Sequence, residues 1–272
     1  MLEPFLKWAG GKRWLIHHYA DFVPRRFNRY LEPFLGSGAV FFYLLPHKAI
    51  LSDSNVELID TYRTLKEAPQ KIHKRLKIFQ VLHCPSFYYM MRTSVPNDPI
   101  KRAARFIYLN RTCFNGLYRV NRQGMFNVPM GSKTSVEFPQ GYLSAVSKAL
   151  CHAVLRVSDF EDIINQAKSD DFLYVDPPYS VMHNTNNFIK YNANLFSWDD
   201  QVRLASAIRR ATKRGALIML SNADHRYIRK LYRDFGNHYH LKRLSMLASS
   251  SEFRAKTTEL LITNYGLRGN KV

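Results

Sequence analysis

The chain has 272 residues, 46% of them hydrophobic and 14% aromatic, which is enough for a large core and excludes disorder as the default state. Its 40 Lys and Arg residues against 21 Asp and Glu give a formal net charge of +19, an excess typical of a protein that meets a polyanion, above all nucleic acid. The three cysteines, Cys84, Cys113 and Cys151, exclude a disulfide framework and a zinc knuckle, and no apolar run of about 20 residues predicts a membrane span.

The first segment with a recognisable pattern is residues 5–12, Phe-Leu-Lys-Trp-Ala-Gly-Gly-Lys. It combines aromatic rings, a glycine pair and two lysines, a mixture that suits a clamp on a small ligand and its phosphates. A surface loop with a packed tryptophan is the alternative, and the segment taken alone favours it.

A glycine-rich turn follows the first predicted strand. The strand covers Tyr30 to Phe34, and residues 35–38, Leu-Gly-Ser-Gly, lead into an apolar run that predicts a helix. Glycines let the backbone turn sharply and approach a ligand closely. The next strand, Ala49 to Leu51, leads to Asp53, a position where an acid typically holds a ribose hydroxyl. These features predict a nucleoside-type ligand; an ordinary turn and a helix N-cap at Asp53 are the alternatives.

Two common nucleotide-binding patterns are not matched. Phe41 stands where the third glycine of a dinucleotide-binding fingerprint would fall, which argues against a nicotinamide enzyme. The chain also has no Walker lysine pattern.

The middle of the chain, residues 68–138, is basic and rich in aromatic residues. A helical pattern from Val56 to Lys66 precedes it, and within it Ile100 to Leu109 predicts a second helix. Asn110 to Lys133 reads as a polar loop or hairpin whose arginines, asparagines and aromatic rings suit contacts with nucleic-acid bases; a solvated basic face is the alternative. Prolines interrupt the region and its end at Pro69, Pro85, Pro96, Pro99, Pro129 and Pro139.

Strands and helices alternate again after residue 139. The predicted strands are 153–157, 172–175, 216–220 and 259–265, with a helix at 198–213. This alternation predicts a βαβ sheet and an α/β fold. We therefore expect one domain built from residues 1–67 and 139–272, with an inserted subdomain at residues 68–138.

The most informative segment is Asp176-Pro177-Pro178-Tyr179, which directly follows the predicted strand 172–175. The prolines must end the strand, so a carboxylate, a rigid turn and an aromatic ring lie together at its carboxyl end, where ligands bind in open α/β sheets. Asp176 and the carbonyls of the proline turn would accept the two hydrogens of an amine, and Tyr179 would cover the attached ring. The segment suits a nucleobase with an exocyclic amine; a plain strand and turn is the alternative.

Several segments of this chain occur together in one known family. They are Phe5–Lys12, Glu32–Gly38, Asp53, Leu109–Arg111, Phe126–Gly131 and Asp176–Tyr179. In this order they resemble the Dam-type DNA adenine-N6 methyltransferases, and the resemblance runs from Phe5 to about Tyr265. It implies a Rossmann-like class I methyltransferase sheet with an inserted, mainly helical target-recognition subdomain, S-adenosyl-L-methionine as methyl donor, double-stranded DNA as substrate, and no metal.

The resemblance also assigns roles at the reaction centre. Asp176 would accept one hydrogen of the adenine N6 amine and the Pro177 carbonyl the other, which localises the lone pair for attack on the methyl group. Tyr179 would stack on a base flipped out of the duplex. The residues that would contact the donor are Trp8, Lys12, Phe34, Gly36, Gly38, Asp53, Asp159, Phe160 and Asp176.

A third set of residues would bind DNA. The resemblance suggests Arg119 as the guanine reader, and arginine can bond guanine in a bidentate manner. The chain departs from the Dam pattern at Cys113-Phe114 and at residues 132–134, and GATC is the recognition sequence that we expect. The full set is Lys7, Phe114, Asn115, Leu117, Arg119, Asn121, Pro129 and Lys133.

Further residues have weaker assignments. Lys133, Arg243, Arg254 and Lys256 are candidate phosphate contacts. Phe188, Tyr191 and Phe196 would form a lid or a second stacking wall, with ordinary packing as the alternative.

Three other functions use the same features. Cytosine-N4 methylation and RNA adenine methylation need the same amine pocket, but by family analogy an Asp at the start of the motif favours adenine. A non-catalytic DNA-binding relative would have no use for Asp53, Asp176 and both glycines together. We expect a cytoplasmic protein of bacterial or phage type that acts as a monomer, without an obligate protein partner or a membrane.

Overall fold

The computed structural model describes residues 2–121, 123–179, 196–244 and 256–267. The helices are α1 (Arg13–Tyr19), α2 (Ala39–Leu44), α3 (Val56–Glu67), α4 (Pro69–Val81), α5 (Pro85–Thr93), α6 (Pro99–Thr112), α7 (Tyr142–Leu150), α8 (Phe160–Ile164), α9 (Trp198–Lys213) and α10 (Arg226–Leu231). The strands are β1 (Tyr30–Glu32), β2 (Ala49–Asp53), β3 (Ala153–Val157), β4 (Phe172–Val175), β5 (Leu217–Ala223), β6 (Asn237–Leu244) and β7 (Lys256–Thr263). The chain divides into two compact units, Met1–His18 with Leu35–Val157 and Tyr19–Phe34 with Ser158–Val272.

The first unit combines a parallel strand pair with a group of helices. β2 and β3 pair in parallel, in a register that runs from Ala49↔Ala153 to Asp53↔Val157. α3 has an apolar face at helical spacing, including Leu58, Tyr62 and Leu65, and it packs on α6 and α7. α6 is the most deeply placed helix of this group, since most of its residues are buried. α6 is therefore the central helix of this group, and α3, α4 and α5 pack against it.

The prolines of the middle region begin helices. Pro69, Pro85 and Pro99 are the first residues of α4, α5 and α6. Proline suits the first helical position because its fixed φ matches the helix and its missing N–H has no intrahelical partner there. Asp98 completes the start of α6, since its side chain accepts a hydrogen bond from Lys101 N. The predicted helix at 100–109 is confirmed within α6, but the sequence interpretation missed α4 and α5.

The second unit contains a mixed sheet with the strand order β1-β4-β5-β7-β6. β1, β4 and β5 are parallel, and β7 is antiparallel to both β5 and β6. All four residues of β4 are buried between β1 and β5, as an uninterrupted apolar strand predicts. Because β4 is a central strand, the segment that follows Val175 leaves from the carboxyl edge of the sheet.

Four predicted strands need correction in their bounds. β1 ends at Glu32 where the expectation was Phe34, and β2 ends at Asp53 where the expectation was Leu51. β5 extends over 217–223 where the expectation was 216–220, and β7 covers 256–263 where the expectation was 259–265. β6 was not predicted, because its sequence contains two histidines, a lysine and an arginine and does not read as an apolar strand. Its pairing with β7 comes from tertiary structure, which routinely overrides propensity. Among the helices of the described residues, none is long and apolar enough to cross a membrane.

Candidate active site and nucleic-acid interface

The glycine loop, residues 35–38 of the first unit, has a backbone that needs glycine. Gly36 has φ +48° and Gly38 has φ +65°, both in the left-handed region that side chains disfavour. A Cβ atom on Gly36 would lie 2.6 Å from Cδ1 of Trp8. The loop therefore brings its backbone against Trp8 at a distance that no other residue type allows.

Asp53, at the end of β2, holds the glycine loop in place through a hydrogen bond. Its Oδ2 accepts from Gly36 N at 3.0 Å and its Oδ1 accepts from Asn55 N at 3.0 Å. Burial raises the pKa of Asp53, and the backbone hydrogen bonds oppose that rise. The N-cap of α3 is Asn55, whose side chain accepts from Leu58 N, so the alternative that Asp53 is an ordinary cap is wrong.

Residues 5–12 pack beside the glycine loop within the same unit. The Trp8 ring stacks on Tyr118, with centroids 5.4 Å apart and planes 18° apart, and lies 6.4 Å from the Phe106 ring. Lys12 is only 3% exposed, and its Nζ donates to Gly10 O at 3.0 Å. Lys12 is therefore built into the fold, whereas a half-buried Trp8 that packs on neighbouring rings fits both interpretations of the segment.

An aromatic cluster lies at the amino end of α8 in the second unit. The Phe34 and Phe160 rings stack with centroids 5.4 Å apart, and Phe196 packs edge-on against Phe34 at 5.5 Å. Phe196 is buried in this cluster, whereas Phe188 and Tyr191, the other two candidates for a lid, lie outside the described residues. For Phe196 the packing interpretation is therefore the one that the structure supports.

Arg203 of α9 holds the acid–aromatic pair at 159–160. Its NH1 donates to Oδ1 of Asp159 at 3.0 Å and its NH2 donates to Oδ2 at 2.9 Å, a bidentate pair. The same guanidinium lies 4.4 Å from the Phe160 ring centroid. These carboxylate hydrogen bonds raise the pKa of Arg203 further above its ordinary value. Sequence analysis missed this residue, because its position in the middle of α9 carries no motif.

Asp176 to Tyr179 leave the buried strand β4 and reach partly exposed positions. Asp176, Pro178 and Tyr179 are half-buried, whereas Pro177 is buried. Behind them lie Tyr30, Glu32 and Tyr174, which are at most 2% exposed.

Electrostatics keep the phenols of this cluster protonated. Burial, together with the neighbouring Glu32 and Asp176 carboxylates, raises the pKa of Tyr30 and of Tyr174 well above the ordinary value. The Asp176 carboxylate therefore sits at the edge of a polar cluster whose two phenols are neutral at physiological pH.

Residues 113–130 of the first unit form a hairpin, joined by backbone bridges at Cys113↔Met130 and Val120↔Phe126. This confirms the hairpin interpretation of the polar loop. Arg119 is exposed, and its Nε donates to Asn127 Oδ1 at 2.9 Å, a bond that does not use its two terminal nitrogens. The 113–130 hairpin thus presents an arginine whose orientation is set by a neighbouring side chain.

Other predicted DNA contacts lie on or beside the 113–130 hairpin. Phe114 is 51% exposed, and Asn115, with φ +55°, is also exposed. Leu117 is half-buried, and Pro129 is exposed while its carbonyl accepts from Phe114 N at 2.9 Å. A half-exposed phenylalanine beside a left-handed residue is suited to insertion between bases.

The side chain of Asn121 is used inside the hairpin turn. Its Oδ1 accepts from Gln123 N at 3.0 Å and from Met125 N at 2.9 Å. The structure gives this side chain a turn-stabilising role. Its contact with DNA stays a prediction.

Lys7 lies in a cationic cluster with Arg111 and Lys133. Burial, together with the neighbouring Lys133 and Arg111 charges, lowers the pKa of Lys7 to about 8. Asn110 fixes the Lys7 backbone, since its Oδ1 accepts from Lys7 N at 2.9 Å and its Nδ2 donates to Lys7 O at 2.7 Å. A cluster of like charges held together by the fold is typical of a site for an anion.

The candidate phosphate contacts are mostly beyond what the structure describes. Lys133 is exposed in the first unit. Arg254 lies outside the described residues, and so do the side chains of Arg243 and Lys256, although the backbone of both lies in the β6–β7 pair.

The sequence profile of the D12 class N6 adenine-specific DNA methyltransferases matches residues 8–246 of this chain. The chain belongs to this family. It is therefore an adenine-specific DNA methyltransferase, and its α/β architecture is the Rossmann-like one expected of such an enzyme.

Individual relatives support this assignment. The methyltransferase is 37% identical to the Type II methyltransferase M1.LlaDCHI of Lactococcus lactis subsp. cremoris, over 97% of this chain and 96% of the relative. It is 36% identical to the DNA adenine methylase of Vibrio cholerae, over 84% of each chain. The DNA adenine methylase of Escherichia coli K12 is 33% identical over 94% of this chain and 93% of its own.

Some structurally important contacts of the methyltransferase carried no signal in the sequence. Asn110 is 1% exposed and bonds the backbone of Lys7, a contact that the Leu-Asn-Arg motif around it does not indicate. Arg203 and Tyr118 act through a carboxylate and a ring that lie far away in sequence. A contact of this kind becomes visible only when the fold brings its two partners together.

Proposed function

We propose that this methyltransferase transfers a methyl group from S-adenosyl-L-methionine to N6 of an adenine flipped out of duplex DNA, within GATC. The observation that carries the proposal is the partly exposed Asp176-Pro-Pro-Tyr segment at the carboxyl end of a buried central strand. Ligands of open α/β sheets bind at that edge. The family assignment gives adenine and DNA as the acceptor.

The donor-side residues suit a nucleoside with a charged tail. Asp53 offers carboxylate oxygens at the end of β2, and the glycine loop that it fastens is shaped to approach a ligand closely. Asp159, whose carboxylate is bonded by Arg203, and Phe160, whose ring is buried against Phe34, are proposed to lie beside the adenine ring of the donor. Trp8 and Lys12 complete the proposed donor contacts. When bound, the donor supplies an electrophilic methyl group, so no metal is needed for the transfer.

At the acceptor, Asp176 is proposed to accept one N6 hydrogen while the Pro177 carbonyl accepts the other. The amine lone pair is delocalised into the adenine ring, and two acceptors in fixed positions localise it as positive charge develops on N6. Fixing the amine near attack distance supplies a further part of the rate. The amine becomes acidic only after methylation, so no basic residue has to remove its proton early.

Base flipping is proposed because the adenine amine is inaccessible inside a duplex. Tyr179 is half-buried and would stack on the extruded base. Phe114 and Leu117 would occupy the space that the base leaves, with Asn115 and Pro129 beside them. The cost of unstacking is a few kcal/mol, which stacking on aromatic side chains of about 1–3 kcal/mol per base can offset.

Sequence recognition is proposed to reside in residues 68–138 together with Lys7. Arg119 would read a guanine, and Lys7 and Lys133 would approach a base or its phosphate, because all three cations lie on the first unit. GATC follows from the resemblance to Dam-type enzymes, and Asn121 would contribute through the shape of the turn. We propose that one copy of the chain is sufficient for the reaction.

The test is transfer of labelled methyl from S-adenosyl-L-methionine to duplex DNA of random sequence, followed by mapping of the modified bases. The expected product is N6-methyladenine confined to GATC. Label in N4-methylcytosine, or no label in DNA while the donor still binds, would refute the proposal. N6-methyladenine at another sequence would refute GATC alone.

A second measurement isolates base flipping. A duplex with 2-aminopurine at the target adenine is expected to brighten several-fold when the protein binds, because the unstacked fluorophore is no longer quenched. A duplex with 2-aminopurine at a neighbouring position is the control. Equal responses in the two duplexes would exclude selective extrusion of the target.

A further inference from the structure

Tyr118 lies between the glycine loop and the arginine of the 113–130 hairpin, all within the first unit. On one side, its ring stacks on Trp8 with centroids 5.4 Å apart and an interplanar angle of 18°. Trp8 in turn fills the space that a Cβ atom on Gly36 would need. A continuous line of contacts therefore runs from the glycine loop through Trp8 to Tyr118.

The hydroxyl of Tyr118 fixes this stack to the helices. It donates to Oε2 of Glu57 at 2.9 Å, and Oε1 of the same carboxylate accepts from NH1 of Arg105 at 3.1 Å. Arg105 is 2% exposed, and its other nitrogens donate to backbone carbonyls of α5. Burial lowers the pKa of Arg105, whereas the Glu57 charge opposes that shift. A buried, fully bonded arginine of this kind gives the tyrosine a rigid anchor.

On the other side, Tyr118 belongs to the 113–130 hairpin. Its ring lies 5.8 Å from Phe126, on the opposite arm, and 5.1 Å from Phe106. Its chain neighbour Arg119 donates to Asn127, again across the hairpin. The Tyr118 ring and the Arg119 side chain therefore belong to adjacent residues on one arm of the hairpin, each in contact with the opposite arm.

We propose that Tyr118 is a positioning residue that couples occupancy of the glycine loop to the geometry of the DNA-reading hairpin. The proposal rests on the proposed function, because it assigns the donor to the loop and the target sequence to Arg119. A donor that restrains Trp8 also restrains the Tyr118 ring stacked on it, and DNA bound to the hairpin restrains the same ring. Whichever of the two ligands binds second therefore has fewer groups left to order. Each ligand must then tighten the other by the same factor.

The experiment measures this factor with S-adenosyl-L-homocysteine, which lacks the transferable methyl group. The Kd of S-adenosyl-L-homocysteine is determined with and without a duplex that contains the mapped methylation site. The Kd of that duplex is then determined with and without S-adenosyl-L-homocysteine. For the wild-type chain we expect a ratio within the usual range of about 5- to 150-fold, equal in both directions.

Three variants separate the parts of the stack. Tyr118→Ala removes the ring and is expected to bring the ratio to within about twofold of 1. Tyr118→Phe keeps the ring but loses the Glu57 bond, and we expect it to retain a ratio within about threefold of the wild type. Tyr227→Ala, which removes a half-buried ring on α10 of the second unit, is the control and should leave the ratio unchanged. Thermal unfolding checks that each variant is folded.

The outcomes distinguish the two proposals. A Tyr118→Ala protein with the wild-type ratio, a Tyr118→Phe protein as uncoupled as Tyr118→Ala, or a wild-type ratio near 1 would each overturn the role of Tyr118. In all three cases, methylation of DNA by the wild-type chain leaves the proposed function intact. If Tyr118→Ala does not fold, Tyr118→Leu fills the same space without a planar ring and is expected to show the same loss.

Discussion

The Asp176-Pro-Pro-Tyr segment leaves a central strand whose four residues are all buried, whereas the 113–130 hairpin is joined by isolated bridges and exposes its arginine. In the first, sheet packing sets the position of one carboxylate. In the second, short side-chain hydrogen bonds, such as Arg119 to Asn127, orient a group that solvent reaches. Substitutions in the Asp176-Pro-Pro-Tyr segment should therefore lower the rate of methyl transfer. Substitutions in the 113–130 hairpin should instead alter which DNA sequence is methylated.

The largest expected effect follows Asp176→Asn. The amide keeps one acceptor oxygen but removes the negative charge that stabilises the developing positive charge on N6, so kcat should fall on the order of 10²–10³-fold. The Kd for DNA should change little. Single-turnover methylation measures kcat, and Asp199→Asn, at an exposed carboxylate in the first turn of α9, is the control. Wild-type turnover in Asp176→Asn would remove the proposed role of this carboxylate.

Gly36→Ala tests whether donor binding depends on the close approach of the glycine loop to Trp8. A side chain at φ +48° adds strain of roughly 1–2 kcal/mol, or about 5- to 30-fold, and its Cβ would meet Trp8 at 2.6 Å. We expect donor affinity to fall by at least that factor, measured by calorimetric titration.

The hairpin supplies a matched control for this glycine. Gly124 has φ +75°, but a Cβ atom there meets nothing within 4 Å. Gly124→Ala therefore carries the backbone strain without the contact, and its donor affinity should match the wild type. Equal losses in both variants would show that strain, rather than the approach to Trp8, sets donor affinity.

Arg119→Ala should act on sequence choice instead of on catalysis. Loss of a bidentate guanine contact is worth about 1–3 kcal/mol, or roughly 5- to 150-fold in discrimination at one base pair. The measurement is kcat/KM on duplexes that differ only at that pair. Arg233→Ala, at an arginine whose side chain is 77% exposed on the second unit, should leave the discrimination intact. An unchanged preference in Arg119→Ala would exclude it as the reader.

The same contrast explains what the sequence could predict. The apolar run at 172–175 and the glycines at 36 and 38 carry local signals, and the structure confirms the strand and the left-handed backbone. The family and the α/β fold followed from such segments taken together.

The rest depended on contacts between distant residues. α4 and α5 were missed because their prolines looked like interruptions, although Pro69 and Pro85 occupy the first helical position. The anchoring of Tyr118 by Glu57, 61 residues away, and of Asp159 by Arg203, 44 residues away, leaves no local pattern. Neither periodicity nor motif spacing contains that information, because it arises only when helices pack.

The smallest expected effect concerns Lys7. Burial and the neighbouring cations lower its pKa from an ordinary 10.5 to about 8, so the folded protein releases this proton around pH 8. The unfolded chain keeps the proton to higher pH, and the free energy of unfolding should therefore rise with pH between about 8 and 10.5 from this group. DNA favours the charged form, so binding should take up as much as about one proton in this interval.

Lys7→Arg provides the comparison, because arginine stays charged throughout this range. Calorimetric titration of DNA at pH 8.5 in buffers of different ionisation enthalpy measures the proton uptake. Wild-type uptake that disappears in Lys7→Arg would place Lys7 against the polyanion. Equal uptake in the two proteins would assign the proton to another group and leave the cationic cluster as a structural feature of the first unit. In either result the effect stays small beside that of Asp176→Asn, since a half-buried lysine retains much of its hydration and a phosphate contact carries no information about the base.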